Sequence, residues 1–168
     1  MISFKIVLLV LFDIENKGVT SLVDGLDKNI IMILQDQARI SMTELGKAVA
    51  LSQPAVTERV RRLEEKGIID HYRAVVSLEK LNKSIVAYLL FHTKSCESFV
   101  DHCKNSLDVL EMHRISGQYN FLVKVISESL HSMENVINEM GKFGDSTTLI
   151  VLSSPIEHSK VVPNIQDK

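Results

Sequence analysis

The sequence has no excess of positive charge. Nineteen Lys and Arg stand against 21 Asp and Glu, a formal net charge of -2. The chain as a whole therefore has no bulk attraction for nucleic acid, and contact with a polyanion must come from a local surface. Cysteine is scarce: Cys96 and Cys103 have no second pair, which excludes a disulfide framework and a four-thiolate zinc site and makes a reducing, cytoplasmic setting the expectation. His92, Cys96, His102 and Cys103 cluster in HTKSCESFVDHC, but their spacing fits no zinc pattern. No phosphate loop, G-x-S-x-G or Rossmann fingerprint occurs. No metal and no cofactor are expected.

Long hydrophobic runs are also missing. The apolar stretch Ile6 to Phe12 follows one lysine, yet it falls far short of the roughly 20 apolar residues that cross a bilayer. The segment after it, DIENKGVTSLVDG, offers no A-x-A cleavage pattern. Residues 1–25 are thus expected to be an N-terminal extension, not an export signal, and no membrane partner is expected.

What remains is ordinary globular composition, 45% hydrophobic and 24% charged, at a length suited to one domain or two small ones. In LDKNIIMILQDQ, Leu26, Ile30, Ile33 and Leu34 recur at helical spacing, with Asp27 placed to cap the first turn. A second, short helix in SMTELGKAVA has Ser41 or Thr43 as its cap and Leu45, Val49 and Met42 along one stripe. Ala50, Leu51 and Ser52 make a tight turn into QPAVTERVRRLEEKG, where Ser52 suits an N-cap, Pro54 a first turn and Gly67 a stop. Two helices joined in this way form the helix-turn-helix pattern. Ile68 to Leu78, rich in β-branched residues, predicts a following strand, and a polar link EKLNKS comes next.

From Ser84 the periods change. SIVAYLLFHT reads as a strand apolar on both faces; SCESFVDHCKNSL as a helix with Phe99, Val100, Cys103 and Leu107 on one side. VLEMHRIS and NFLVKVIS form a hairpin around Gly117 to Asn120. The next helix is SLHSMENVINEMGKFG, burying Leu130, Met133, Val136, Ile137, Met140 and Phe143, and TTLIVLSS is the last strand. The βαββαβ order is the split arrangement of ferredoxin-like domains. It puts both helices on one face of the sheet and leaves the other bare. Since both alternating sets of the first strand are apolar, a second copy of the sheet is the expected cover, giving a homodimer that assembles further.

The fold class is therefore α+β: a winged-type helix-turn-helix domain over 26–72, a linker strand over 73–83, a ferredoxin-like domain over 84–163 and a tail over 164–168. On the helix at 53 to 66, Val56, Val60 and Leu63 face the core, leaving Pro54, Glu58, Arg61, Arg62 and Glu65 outside with Gln53 and Thr57 flanking them. Arg59 lies toward the other flank. As a merely solvated face, this helix would pair Glu58 with Arg62 and Arg61 with Glu65. As the second helix of a helix-turn-helix, it presents Gln, Thr and Arg, which suit bases and phosphates. Charge supports the second reading: residues 27–83 hold ten Lys or Arg against eight Asp or Glu, whereas 84–168 hold seven against ten.

From Leu26 to Pro163 the chain resembles the Lrp/AsnC family of leucine-responsive and asparagine-operon regulators. The resemblance is carried by LDKNIIMILQDQARISMTELGKAV, LSQPAVTERVRRLEEKGII, EMHRISGQYNFLVKV and TTLIVLSSPIEHSKVVP. It implies a sequence-specific transcription regulator that binds double-stranded DNA and forms homodimers, tetramers or octamers. It also implies an amino-acid effector held between dimers. The DNA-contacting residues would be Ser52, Gln53, Pro54, Thr57, Glu58, Arg61 and Arg62. The effector-binding residues would be Gly117, Gln118, Tyr119 and Asn120, with Thr147 and Thr148 on the last strand. One departure stands out: the loop usually reads G-x-x-D, and here Asn120 replaces the carboxylate. An amide oxygen accepts a hydrogen bond without the strength that charge adds. The alternative for Gly117 and Asn120 is a plain turn with left-handed angles. A related class built on the same two domains, the sirohaem decarboxylases, gives an enzymatic alternative that would use His113 and Arg114 around a tetrapyrrole. The expectation is a regulator and not an enzyme.

Overall fold

The computed structural model describes residues 23–164, so most of the N-terminal extension expected over 1–25 lies outside the described residues, as does the end of the tail. The described residues form two compact units: residues 23–73 together with 158–164, and residues 74–157.

The first unit is helical. Helix α1 (Gly25–Asp36) begins at Asp24, not at Asp27. The Asp24 carboxylate accepts the Asp27 N–H at 2.8 Å and the Asp27 carboxylate accepts the Asp24 N–H, a reciprocal capping box that ties off two orphan donors. Ser41 and Glu44 repeat the device at α2 (Met42–Ala48). Helix α3 (Gln53–Glu65) has Ser52 as its cap and Pro54 in its first turn. It stops at Gly67, whose φ of 65° few other residues tolerate. There the Ile68 N–H reaches the Leu63 carbonyl and the Gly67 N–H reaches Glu64, both at 2.9 Å, the two bonds of a Schellman stop. Ile30, Leu34, Leu45, Val49, Val56, Val60 and Leu63 make the core between the three helices. Burial of each is worth about 1.5–3 kcal/mol.

The end of the chain returns to this unit. The Gln35 side-chain amide brackets Val161, donating to its carbonyl at 2.9 Å and accepting its N–H at 2.8 Å, while Lys160 pairs with Asp36. The strand expected from Ile68 to Leu78 is not formed. A strand needs a ladder partner, and the only sheet among the described residues is built from four later strands. Val75 and Val76 stand exposed.

The second unit follows the βαββαβ order: β1 (Ile85–His92), α4 (Cys96–Asn105), β2 (Val109–Arg114), β3 (Phe121–Ser127), α5 (Leu130–Gly141) and β4 (Asp145–Ile150). The sheet order is β2-β3-β1-β4 and all neighbours are antiparallel. Ala87, Leu89 and Phe91 point into a core shared with Phe99, Cys103, Phe121, Val123, Val125, Met133 and Met140. Phe91 stacks on Phe99 with ring centroids 4.0 Å apart. Leu107 was expected in that core but lies beyond the end of α4 and is 93% exposed. Leu130 also escapes it, because as the first residue of α5 it sits before the helix reaches the sheet.

Among the described residues, no helix of this unit covers the opposite sheet face. Period-two alternation puts Val86, Tyr88 and Leu90 there from β1, with Leu122 and Leu149 as their register neighbours. No helix among the described residues is long and apolar enough to cross a membrane.

Candidate functional site

The outer face of α3 is positioned by the turn before it. Gly46, inside α2, lies so near that turn that an added Cβ would stand 2.8 Å from the Leu51 carbonyl oxygen. The Leu51 N–H bonds the Gly46 carbonyl at 2.8 Å. Ala50 takes the left-handed angle, φ 55°. These two residues set how α3 leaves α2; Ala50 lies in the turn read from the sequence, whereas the role of Gly46 was missed. A glycine in a helical pattern was the signal available.

Ser52, Gln53, Pro54, Thr57, Glu58, Arg61 and Arg62 are all exposed, while Val56, Val60 and Leu63 are buried. The predicted face is therefore a single outer face of one helix. Its side chains differ in freedom. Thr57 donates its hydroxyl to the Gln53 carbonyl at 2.8 Å, leaving its lone pairs for an outside donor. Arg61 grips Glu58 through two bonds, Nε to Oε2 at 2.9 Å and Nη2 to Oε1 at 2.7 Å, and also pairs with Glu65. The expected Glu58–Arg62 pair is replaced by this three-residue spacing. Arg62 acts on Glu58 only at longer range and makes no ion pair among the described residues. The bond from Arg61 holds the Glu58 carboxyl below the usual carboxylate range.

Arg59 points elsewhere. Its Nη1 lies 2.7 Å from Asp24 and 2.7 Å from Asp27, whose carboxylate is buried. This arginine joins α3 to the start of α1. Partial burial raises the Asp24 carboxyl, but the Asp27 N–H and Arg59 together hold it below its ordinary value. At the far end of the same helix, Tyr72 donates its hydroxyl to Glu64 at 2.9 Å, and burial together with that bond pushes its pKa up to about 12.

The second predicted site is the loop between β2 and β3. Gly117 adopts φ 124°. The Gln118 carbonyl meets His92 Nδ1 at 3.1 Å, and the Tyr119 hydroxyl lies 2.8 Å from Thr147 Oγ1. Loop and last strand are thus brought together at Tyr119 and Thr147. Thr148 is in register with Leu89, on the helix side of the sheet, so it does not share a face with Thr147. Asn120 faces inward: its Oδ1 accepts the Thr93 N–H at 3.0 Å and its Nδ2 donates to the Thr93 carbonyl at 2.7 Å.

His113 and Arg114 cannot line one pocket. They are successive residues of β2 and project to opposite faces, His113 toward Glu111 and Arg114 over the Phe121 ring.

These features define a class: a helix-turn-helix unit joined to a ferredoxin-like unit. Residues 23–70 match the winged helix-turn-helix DNA-binding family, and residues 88–161 match the Lrp/AsnC ligand binding domain. Over 135 residues the chain is 44% identical to the uncharacterized HTH-type transcriptional regulator YezC of Bacillus subtilis, covering 80% of this chain and 97% of that protein. The solved structure of Bacillus subtilis LrpC is similar at 34% identity and a TM-score of 0.76, covering 79% of this chain and 96% of the other. A transcriptional regulator of Neisseria meningitidis, solved in complex with L-Met, shares the fold at 23% identity and a TM-score of 0.76, over 80% and 93% of the two chains. The chain belongs to the Lrp/AsnC family. It is a DNA-binding transcription regulator and not an enzyme, which sets aside the decarboxylase alternative.

Proposed function

We propose that the outer face of α3 enters the major groove of double-stranded DNA, with Gln53 and Thr57 near base edges, Arg62 on a phosphate, and Ser52 and Pro54 at the close approach of the helix N-terminus. The unpaired guanidinium of Arg62 carries this reading: it is the one arginine of α3 without an ion-pair partner among the described residues. Glu58 and Glu65 oppose the same phosphates, so one copy binds weakly and affinity comes from several copies acting together. The apolar face around Tyr88 and Leu90 is the surface through which a second copy docks, and the homodimer assembles into tetramers or octamers. Two recognition helices then meet half-sites one or more helical turns apart.

The loop Gly117 to Asn120 with Thr147 is the proposed effector site, and Thr148 supports its strand from the other face. An amino acid is the effector class, in keeping with the L-Met complex of the Neisseria regulator. Regulation follows from a different effector affinity for different assemblies, a coupling of about 1–3 kcal/mol. The protein acts in the cytoplasm, where the DNA is. Genome-wide mapping of bound DNA, with and without added amino acids, tests the reading: discrete sites with occupancy changed by an amino acid are expected, and occupancy indifferent to every amino acid removes the effector.

A further inference from the structure

A carboxylate is the strongest hydrogen-bonding partner for an ammonium group, and residues 117–120 supply none. Asn120 is uncharged and its amide is already engaged with the Thr93 backbone at both ends, so it is a poor stand-in for one. We propose that Asp145, at the start of β4, is the residue that receives the ammonium group of an amino-acid effector. This inference rests on the effector reading above.

The sheet places Asp145 where that role requires it. It lies two residues before Thr147 on the same strand and therefore on the same face, the one that carries the Tyr119–Thr147 contact. Its register partner is His92, whose ring nitrogen meets the Gln118 carbonyl. Loop, end of β1 and start of β4 converge there. Asp145 is exposed and its side chain makes no ion pair or hydrogen bond among the described residues. The register is fixed by the residue before it: a Cβ on Gly144 would stand 2.1 Å from the His92 carbonyl oxygen, so β4 can start against β1 only with glycine at this point. A free carboxylate thus stands beside two hydroxyls, one donating to the other, so that the accepting hydroxyl keeps its own proton for a ligand's carboxylate. That set suits a zwitterion, and it favours an amino acid over the 2-hydroxy acid of the same side chain.

Calorimetry on the full chain tests this, first with the standard amino acids at millimolar concentration and then with the 2-hydroxy acid analogue of whichever binds. The expected result is binding of at least one amino acid and at least about tenfold weaker binding of its hydroxy analogue. Asp145→Asn should weaken the amino acid by a similar factor while leaving the hydroxy acid within about a factor of two, and Asp145→Glu should restore part of the loss. Melting curves matching the wild type show that both variants are folded. Asp145→Asn binding the amino acid as tightly as the wild type, or losing both ligands equally, overturns the role of Asp145 and leaves the effector reading standing. A wild-type chain that binds no amino acid overturns both.

Discussion

Asn120 and Thr93 are joined as two strands would be: the side-chain amide of one accepts from the N–H and donates to the carbonyl of the other, at 3.0 and 2.7 Å. Thr93 in turn donates its buried hydroxyl to the Phe143 carbonyl at 2.6 Å and accepts the Ser95 N–H at 2.9 Å. The end of β1, the start of α4 and the turn before β4 are therefore held by one polar knot, and the β2–β3 loop is its fourth member.

Asn120→Ala leaves the Thr93 N–H and carbonyl without these partners. A buried group left unsatisfied costs about 1–3 kcal/mol. Urea unfolding should show a lower midpoint with an unchanged slope. A midpoint equal to the wild type would mean that water replaces the amide without loss, and that the loop is not fixed by Asn120.

The arginines of α3 should differ in their effect on DNA binding. Arg62 has no ion-pair partner among the described residues, so Arg62→Ala should lower affinity and reduce the slope of log affinity against log salt by about one. Arg61 is already matched by Glu58 and Glu65, so Arg61→Ala should change the slope less. Glu58→Gln, which loosens that pairing, should raise affinity at low salt. Gel-shift titrations at several salt concentrations measure all three. Equal slopes for the two arginine variants would show that the carboxylates release Arg61 on contact with DNA.

How much of this was readable beforehand varies with the range of the interactions. The core stripe Val56, Val60 and Leu63 and the cap Ser52 are set by helical period and local hydrogen bonding, and all appear in the structure as expected. The βαββαβ order was equally plain, because each element carries its own period. Asp24 was overlooked as the cap of α1 because Asp27 also satisfies the rule for the first turn; the reciprocal pair uses both. Arg59 was ambiguous on a projection, since its partners lie on another helix. The inward turn of Asn120 depends on Thr93, a residue from a different strand end. Gln35 and Val161 are 126 positions apart, and nothing in a local pattern could join them. The strand expected after Ile68 failed for the converse reason: its composition is right, but a ladder requires a partner that composition does not supply.

Acid should act on the first unit through Asp24. Its folded carboxyl lies below the ordinary value, burial notwithstanding, because the Asp27 N–H and Arg59 favour the charged form. A depressed carboxyl contributes stability that is fully present above the unfolded value, about 4, and that is lost as pH falls through the folded value. Because the Asp24 side chain is 53% exposed, solvent screens the effect and it should be modest. Thermal melts between pH 7 and pH 3 should show Asp24→Asn losing less stability on acidification than the wild type. Parallel curves would assign acid sensitivity to other carboxylates.

Gly46 and Gly144 should tolerate alanine far less well than Gly25 and Gly141. An added Cβ on Gly25 or Gly141 meets nothing within 4 Å, whereas on Gly144 it would meet the His92 carbonyl oxygen at 2.1 Å and on Gly46 the Leu51 carbonyl oxygen at 2.8 Å. Both obstacles are backbone and cannot swing aside as a side chain end would. Overpacking of this kind costs about 1–3 kcal/mol, and more where no relaxation is available. The two losses should also separate by unit. Gly46→Ala forces the turn between α2 and α3 apart and should weaken DNA binding beyond its effect on stability, because it changes how α3 is presented. Gly144→Ala pries β4 from β1 and should destabilise the ferredoxin-like unit while leaving hydrogen-exchange protection in α1 to α3 at its wild-type level. Exchange measured segment by segment on both variants checks the division, and loss of protection spread across both units in either variant would mean that the two unfold as one.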